Sequence, residues 1–455
     1  MRKILITLGL IIPSLSAFCQ QDSLLKTFKY RIKTYRALSF NAGTNNQFKK
    51  EEPGYGTHKE NYTAANIEAN CFTVKSTDDI FFTTVTSLGS NYASYRSESS
   101  TNFAKTKSFQ FLPGVSVLNK WFSKKFFTEL GAGVFGNYRT TKDKLSNASL
   151  SSKDNFDYYN IAINTGIGKG RLEIITDMQT ALWLNKALTE AGSLSRALTA
   201  EELNNLGRSI TKGNSVRVLD SRRRTQFILK TVDDYLQQQG LINKSDITYF
   251  SNLNDILFFA IDNPRTAGTE KFIRFTPSVS FNNSKSYSGN DVEKFKHRFN
   301  TQSFALTSGI SRYIPASLKH QNDYGASLKL SYTHTDLSDQ YLDNGTVTYE
   351  IKGKPEVKQA GIYAFYDHQI YPNTRTSISL GARGEAGYQN VPEKNSFYTN
   401  AFIFSDLNYF ISYRTRFICN LALEYYQNNF SIYDYIDVRP NGIQLFVNAG
   451  ITVNL

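Results

Sequence analysis

The amino-acid sequence predicts an all-β membrane protein: an antiparallel transmembrane β-barrel of about fourteen strands, interrupted by one helical insertion. Three observations predict it. Apolar and polar residues alternate over segments of about ten residues, long polar linkers alternate with short turns, and no apolar stretch after residue 20 reaches the ~18 residues of a membrane helix.

The chain begins as an exported protein does. Arg2 and Lys3 form a charged n-region, and Ile4 to Pro13 is an apolar run of h-region length. Ala17-Phe18-Cys19 supplies small residues for a signal peptidase ahead of Gln20, so residues 1–20 are expected to be a signal peptide. Phe18 is bulky where a lipobox needs a small residue, which argues against a lipid on Cys19.

Each strand is read from its period of two. At the C-terminus Ile443, Leu445, Val447, Ala449, Ile451, Val453 and Leu455 share one face, and Gln444, Asn448, Gly450, Thr452 and Asn454 share the other. Tyr324 to Thr333, Phe417 to Tyr426, Phe126 to Arg139, Tyr159 to Ile167 and Ile378 to Glu385 repeat the pattern. Weaker segments near 35–45, 61–74, 79–92, 106–118, 271–283, 298–312, 358–371 and 396–410 complete the set. Pro113 and Pro277, in the similar contexts Phe111-Leu-Pro-Gly and Phe275-Thr-Pro-Ser, are expected to mark bulges, because a closed barrel has no free edge for a missing N–H.

The linkers supply the parity. Residues 46–60, 93–105, 140–155, 284–297, 335–357 and 429–441 are long and polar; 75–78, 119–124, 314–318, 372–373 and 411–414 are short. Long extracellular loops, short periplasmic turns and periplasmic termini are what such barrels show. The expected organisation is therefore a signal peptide (1–20), a first barrel part of about six strands (21–168), a helical periplasmic insertion (169–270) and a second barrel part of about eight strands (271–455). In the insertion, Leu172, Ile175, Met178, Leu182 and Leu188 keep helical spacing, and Thr199 to Glu202 reads as a capping box. A stripe at Phe227, Ile228, Val232 and Leu236 is closed by Gly240, and Ile247, Phe250, Leu257 and Ile261 form another.

Composition is compatible with this and restricts partners. Hydrophobic content of 40% and a mean hydropathy of −0.39 are middling, as alternate faces turned to lipid and water average out. The net charge of +13 is scattered rather than gathered on a nucleic-acid motif, so no nucleic acid is expected. Outer-membrane lipid and anionic lipopolysaccharide headgroups are the better physical partners. Cys71 and Cys419 fall on apolar strand phases without CxxC or zinc spacing, and no cofactor or metal site is expected.

The signal ending Ala17-Phe-Cys-Gln20, the aromatic barrel segments and the final Asn448-Ala-Gly-Ile-Thr-Val-Asn-Leu455 resemble an outer-membrane β-barrel protein of the Bacteroidota type. Gly166-Ile-Gly-Lys-Gly-Arg-Leu-Glu-Ile-Ile-Thr-Asp177 with Ala181-Leu-Trp-Leu184 resembles the start of a helical insertion in uncharacterised barrels of this kind. The resemblance implies the fold and brings no activity. Leu455 stands where proteobacterial barrels end in an aromatic residue, and nothing resembles a plug-and-barrel receptor.

Catalytic constellations do not stand out. His334 with Asp336 and Asp339 is the nearest to a rim cluster, and it reads as a solvated loop group. Gly166-x-Gly168-x-Gly170 lacks the phosphate-loop pattern and reads as tight turns at a strand-to-helix junction. Arg222-Arg-Arg224 reads as a solvated helix end. The candidate lumen residues are Glu129, Arg139, Arg274, Lys329, Arg383, Glu385 and Glu424, which either line an aqueous path or brace the interior as ion pairs. Arg383 and Glu385 are the pair singled out. The sequence favours a channel or transporter for small solutes with the helices as gate or plug. The alternative is a non-conducting scaffold whose insertion docks a periplasmic or envelope protein partner; an enzyme is not expected.

Overall fold

The computed structural model describes residues 23–453 apart from 52–57, 99–102, 146–151, 217–220, 260–264, 289–291, 344–345, 392–393, 413–414 and 428–441. The expected signal peptide and Ile261 lie outside the described residues.

Fourteen strands follow one another as an antiparallel meander: β1 (Ile32–Glu51), β2 (His58–Ser76), β3 (Ile80–Glu98), β4 (Phe103–Ser123), β5 (Phe126–Leu145), β6 (Ser152–Ile174), β7 (Thr266–Ser288), β8 (Glu293–Pro315), β9 (His320–Asp343), β11 (Glu356–Asn373), β12 (Thr376–Val391), β13 (Lys394–Phe410), β14 (Thr415–Gln427) and β15 (Gly442–Val453). A short β10 (Thr346–Gly353) pairs with β9 alone. It folds part of the expected 335–357 loop into a hairpin. The described parts of the expected loops 46–60, 93–105, 140–155 and 284–297 also continue the ladders, and the expected loop 429–441 lies outside the described residues.

The pleat sorts the side chains as the alternation requires. On β5, Phe126 is 61% exposed and Glu129 is 3% exposed. The outward apolar phase runs from Phe126 to Tyr138. Those twelve steps span about 40 Å along the strand, or about 30 Å across a bilayer at a ~40° tilt. Trp121 and Phe126 border this belt at the turn end, and Phe109, Tyr138 and Tyr159 border it at the loop end, as girdles do. This is an outer-membrane-type transmembrane β-barrel. Among the described residues no pairing joins β15 to β1, and residues 443–451 are exposed on both faces, so the alternation expected for the last strand has no inner neighbour there.

Neither proline makes a bulge. Phe111↔Tyr138 and Gly114↔Phe135 keep one register on either side of Pro113, and Ala162↔Ser278 and Thr165↔Phe275 do so around Pro277. Each ring drops ladder contacts on one side without shifting the strand.

The helices leave and rejoin the barrel at its turn end. They are α1 (23–27), α2 (Thr176–Glu190), α3 (Ala200–Ser215), α4 (Ser221–Gln238) and α5 (Ile247–Phe259). β6 continues to Ile174 and β7 starts at Thr266, so Lys169 to Ile174 and Thr266 to Glu270 are strand rather than helix. Thr199 caps α3: its hydroxyl accepts from Glu202 N at 3.3 Å, and Glu202 returns the bond to Thr199 N at 2.7 Å. Gly240 follows α4 with φ +63°. Leu203, Leu206 and Ile210 of α3 and Tyr249, Leu253 and Leu257 of α5 pack with α2, which is buried on nearly every side, and Ile228, Val232 and Leu236 of α4 extend the same core from beside α3. Ile247 and Phe250, expected on the inner stripe, are exposed instead, because Asp246 caps α5 and turns Tyr249 inward. Leu25 and Phe28 join the same core from before β1.

Candidate functional site

The inward phase carries polar side chains, and on the wall formed by β4 to β7 they close into a square of alternating charge. Lys120 on β4 reaches Glu270 on β7 at 2.7 Å and Glu129 on β5 at 3.4 Å. Arg274 reaches both carboxylates at 2.5 Å. The set is formally neutral, and Lys120 and Arg274 also lie over the rings of Phe127 and Phe272, at 4.8 and 3.8 Å. Two buried carboxylates sharing two cations is the arrangement that makes burial of charge tolerable.

The three-glycine motif explains how side chains on β5 and β7 meet across the intervening β6. Gly166 stands between Glu129 and Arg274 in the register, and Gly168 between Phe127 and Phe272. A Cβ on Gly166 would lie 2.8 Å from Glu129 Oε1, and one on Gly168 would run into the Phe127 ring. Gly166 and Gly168 are thus a groove within the strand, and Gly170, at φ +100°, needs glycine for its backbone conformation; all three lie in β6 rather than in turns at a helix junction.

A second network joins the interior to the helices. Arg265, fully buried just ahead of β7, donates through Nε to Gln321 Oε1 at 2.7 Å and through its other nitrogens to the carbonyls of Ser317, Leu318 and His320 in the β8–β9 turn. Gln321 passes the chain to Asp323, which also accepts from Gln369 at 2.8 Å. On its other side Arg265 N donates to Thr176 Oγ1 at 2.8 Å, and its carbonyl accepts from Ile175 N at 2.7 Å, fixing the start of α2.

The helical unit spans the turn-end mouth. α3 packs beside the start of β1, and Arg208 and Thr211 face Lys29 and Arg31, just ahead of β1, and Asp78 of the β2–β3 turn across a cleft of about 470 Å³. At the far side Asp255 of α5 meets Arg375 of the β11–β12 turn at 2.6 Å. Those two turns are eight places apart along the fourteen-strand path, so the helices bridge nearly opposite sides of the mouth. Inside the unit, Asp177 accepts from Thr211 at 2.6 Å and from Asn214 at 3.0 Å; burial nevertheless pushes its carboxyl up to about 6. Burial likewise raises the Tyr30 phenol beside it.

Of the seven residues expected in the lumen, Glu129 and Arg274 meet in the charged square. Glu385 instead accepts from Tyr398 Oη at 3.0 Å, and Arg383 lies over the Phe404 ring at 4.8 Å, so the pair singled out is divided between two partners. Glu424 accepts from Asn400 at 3.2 Å. Arg139 lies over Phe156 at 5.3 Å toward the loop end, and Lys329 is exposed on the inward phase of β9. Sequence reading missed Lys120 and Glu270 because it placed them in a turn and in the insertion. The inward parity of β4 and β7, carried one turn further, would have found both. The rim trio also separates. Asp339 pairs with His297 on the inward phase, while His334 lies on the outward phase between Asp336 and Glu356, since even and odd positions of β9 face opposite ways.

No protein-family model matches the chain, and no curated protein is similar to it in sequence. Among solved structures, the translocator domain of the autotransporter NalP from Neisseria meningitidis is 9% identical over 86% of this chain and 94% of that one, with a TM-score of 0.26. The Pseudomonas putida toluene transporter TodX is 9% identical over 92% of this chain and 88% of that one, with a TM-score of 0.29. The ferric yersiniabactin uptake receptor FyuA from Yersinia pestis is 6% identical over 87% of this chain and 61% of that one, with a TM-score of 0.32. The assignment rests instead on the fourteen-strand antiparallel meander together with its outward apolar belt.

Proposed function

We propose that the protein is an outer-membrane channel for small solutes whose periplasmic mouth is gated by the helical unit. The observation that carries this is the bridge of helices between the β2–β3 and β11–β12 turns, below an interior lined by polar and charged side chains. An apolar belt about 30 Å tall suits a bilayer. The described chain starts and ends at the turn end, the periplasmic side in such barrels. The expected signal peptide supports export, and the C-terminal segment supports the Bacteroidota-type affinity. The charged square braces one wall and leaves the opposite wall, with Lys329 and Arg383, as the wetter side of the path.

The test is liposome swelling with neutral sugars of increasing size. Full-length protein passes small sugars slowly, and protein with residues 176–259 replaced by a short Gly-Ser linker passes them several times faster. Equal, background rates for both overturn the channel.

A second reading is favoured by Ile247, Phe250 and Phe227, which leave apolar surface exposed on α4 and α5. In that reading the barrel is a non-conducting scaffold and these side chains dock a periplasmic or envelope protein.

A further inference from the structure

The outward face just beyond the loop-end girdle carries a band of cations that the channel does not use. Lys107, Lys142 and Lys153 stand directly opposite one another on β4, β5 and β6. Lys105 and Lys144 form a second cross-strand pair one row further out, and Lys285 faces Lys296 on β7 and β8. All share the phase of Phe109, Tyr138 and Tyr159, so they face outward at the level where a belt ending at those rings meets lipid headgroups. Like charges placed directly opposite on a sheet destabilise it. Here four such pairings recur, and among the described residues none of these lysines forms a salt bridge with a carboxylate. Asp143 and Asp154, their carboxylate neighbours in the chain, both face inward, where Asp143 accepts from Thr106 and Ser152. Beside the band, Lys285, Lys296 and Arg298 line a depression of about 360 Å³ with Tyr159, Phe281 and the single carboxylate Asp157. Cations over apolar, aromatic-edged surface match a lipid with several phosphates and acyl chains.

We propose that this face is a binding site for a phosphorylated glycolipid of the outer leaflet, of the lipopolysaccharide class, held by its phosphates on the Lys107–Lys142–Lys153 row. The inference rests on the outer-membrane reading above and extends it to a defined lipid contact. A ligand bearing multiple phosphates explains the clustering, which a monophosphate lipid at scattered positions does not.

The experiment measures retention of lipopolysaccharide by full-length protein in detergent, with phosphorylated and enzymatically dephosphorylated forms and with phosphatidylglycerol as probes. The variants are the triple Lys107→Gln, Lys142→Gln, Lys153→Gln, the same triple to Arg, and Lys169→Gln with Lys271→Gln at the opposite belt edge. Wild type, the Arg triple and the turn-end double retain the phosphorylated form at least tenfold better than the Gln triple, and better than they retain either other probe. Equal retention by the Gln triple, no loss on dephosphorylation, or equal capture of phosphatidylglycerol overturns the proposal. Heat-modifiable migration of each variant reports the barrel separately. A folded barrel without this selectivity sinks the lipid site alone, whereas a chain that never forms a barrel sinks the outer-membrane reading beneath it.

Discussion

Asp255 on α5 and Arg375 in the β11–β12 turn meet at 2.6 Å although 120 residues separate them. Through them the far edge of the helical unit is held to the barrel. Both side chains are more than a third exposed, so the pair contributes under ~1 kcal/mol. A latch of that strength opens thermally. Arg375→Glu turns attraction into repulsion and is expected to raise the frequency of open bursts in planar bilayers by about fivefold, the factor carried by ~1 kcal/mol. The charge swap Asp255→Arg with Arg375→Glu restores the wild-type record. Unchanged bursts in the single variant remove the latch.

Asp177 gives the helical unit a pH dependence of definite sign. Its folded pKa of about 6 lies above the ordinary carboxyl value of 3.8, so between these values the folded state binds more protons than the unfolded one. Stability of the unit therefore falls as pH rises through that window, by at most about 3 kcal/mol, and is flat above it. The helical signal near 222 nm is expected to melt at a lower temperature at pH 7.5 than at pH 4.5. Asp177→Asn flattens the dependence, and Asn214, whose Oδ1 is buried without a partner, can turn to accept from the new amide. A melting temperature that rises with pH contradicts this assignment.

The charged square predicts a contrast between single and double substitutions. Glu129→Leu leaves Lys120 and Arg274 sharing Glu270 alone, and breaking a buried pair in this way costs about 3–5 kcal/mol. Lys120→Met with Glu129→Leu leaves the neutral pair of Arg274 and Glu270 and recovers most of that loss. The temperature at which the compact band is lost on electrophoresis reads both. A double variant no more stable than the single one shows that the four groups are not coupled.

The barrel was legible because period two is a strong local signal: Leu328 and Lys329 declare opposite faces by position alone. α3 was legible too, since Thr199 and Glu202 cap each other over three residues. What was not legible depends on contacts between distant strands. The square that holds Arg274 draws its members from β4, β5 and β7, and the link from Arg265 to Gln321 spans 56 residues, so no window of sequence contains either set. Arg383 and Glu385 misled for the same reason: adjacency on one face does not outweigh a better partner on β13.

Closure of the sheet is a separate expectation. Within hydrocarbon every backbone N–H and C=O needs a partner, so the edges of β1 and β15, not paired with each other among the described residues, are expected to pair in lipid. In a background without Cys71 and Cys419, cysteines at Leu38 or Phe40 are expected to oxidise to cysteines at Leu445 or Val447. Phe417→Cys with Ile451→Cys, which face each other in the β14–β15 register, serves as the positive control. Cross-linking in the control alone contradicts closure.

The most direct measurement is the rate at which a charged, membrane-impermeant thiol reagent modifies Leu328→Cys and Lys329→Cys in reconstituted protein, with and without residues 176–259. The account predicts no reaction at 328 in either form, slow reaction at 329 in the intact protein, and a rise of at least tenfold at 329 once the helices are gone. Equal rates at the two positions, or a rate at 329 indifferent to the helices, would contradict a wet interior closed by a helical gate.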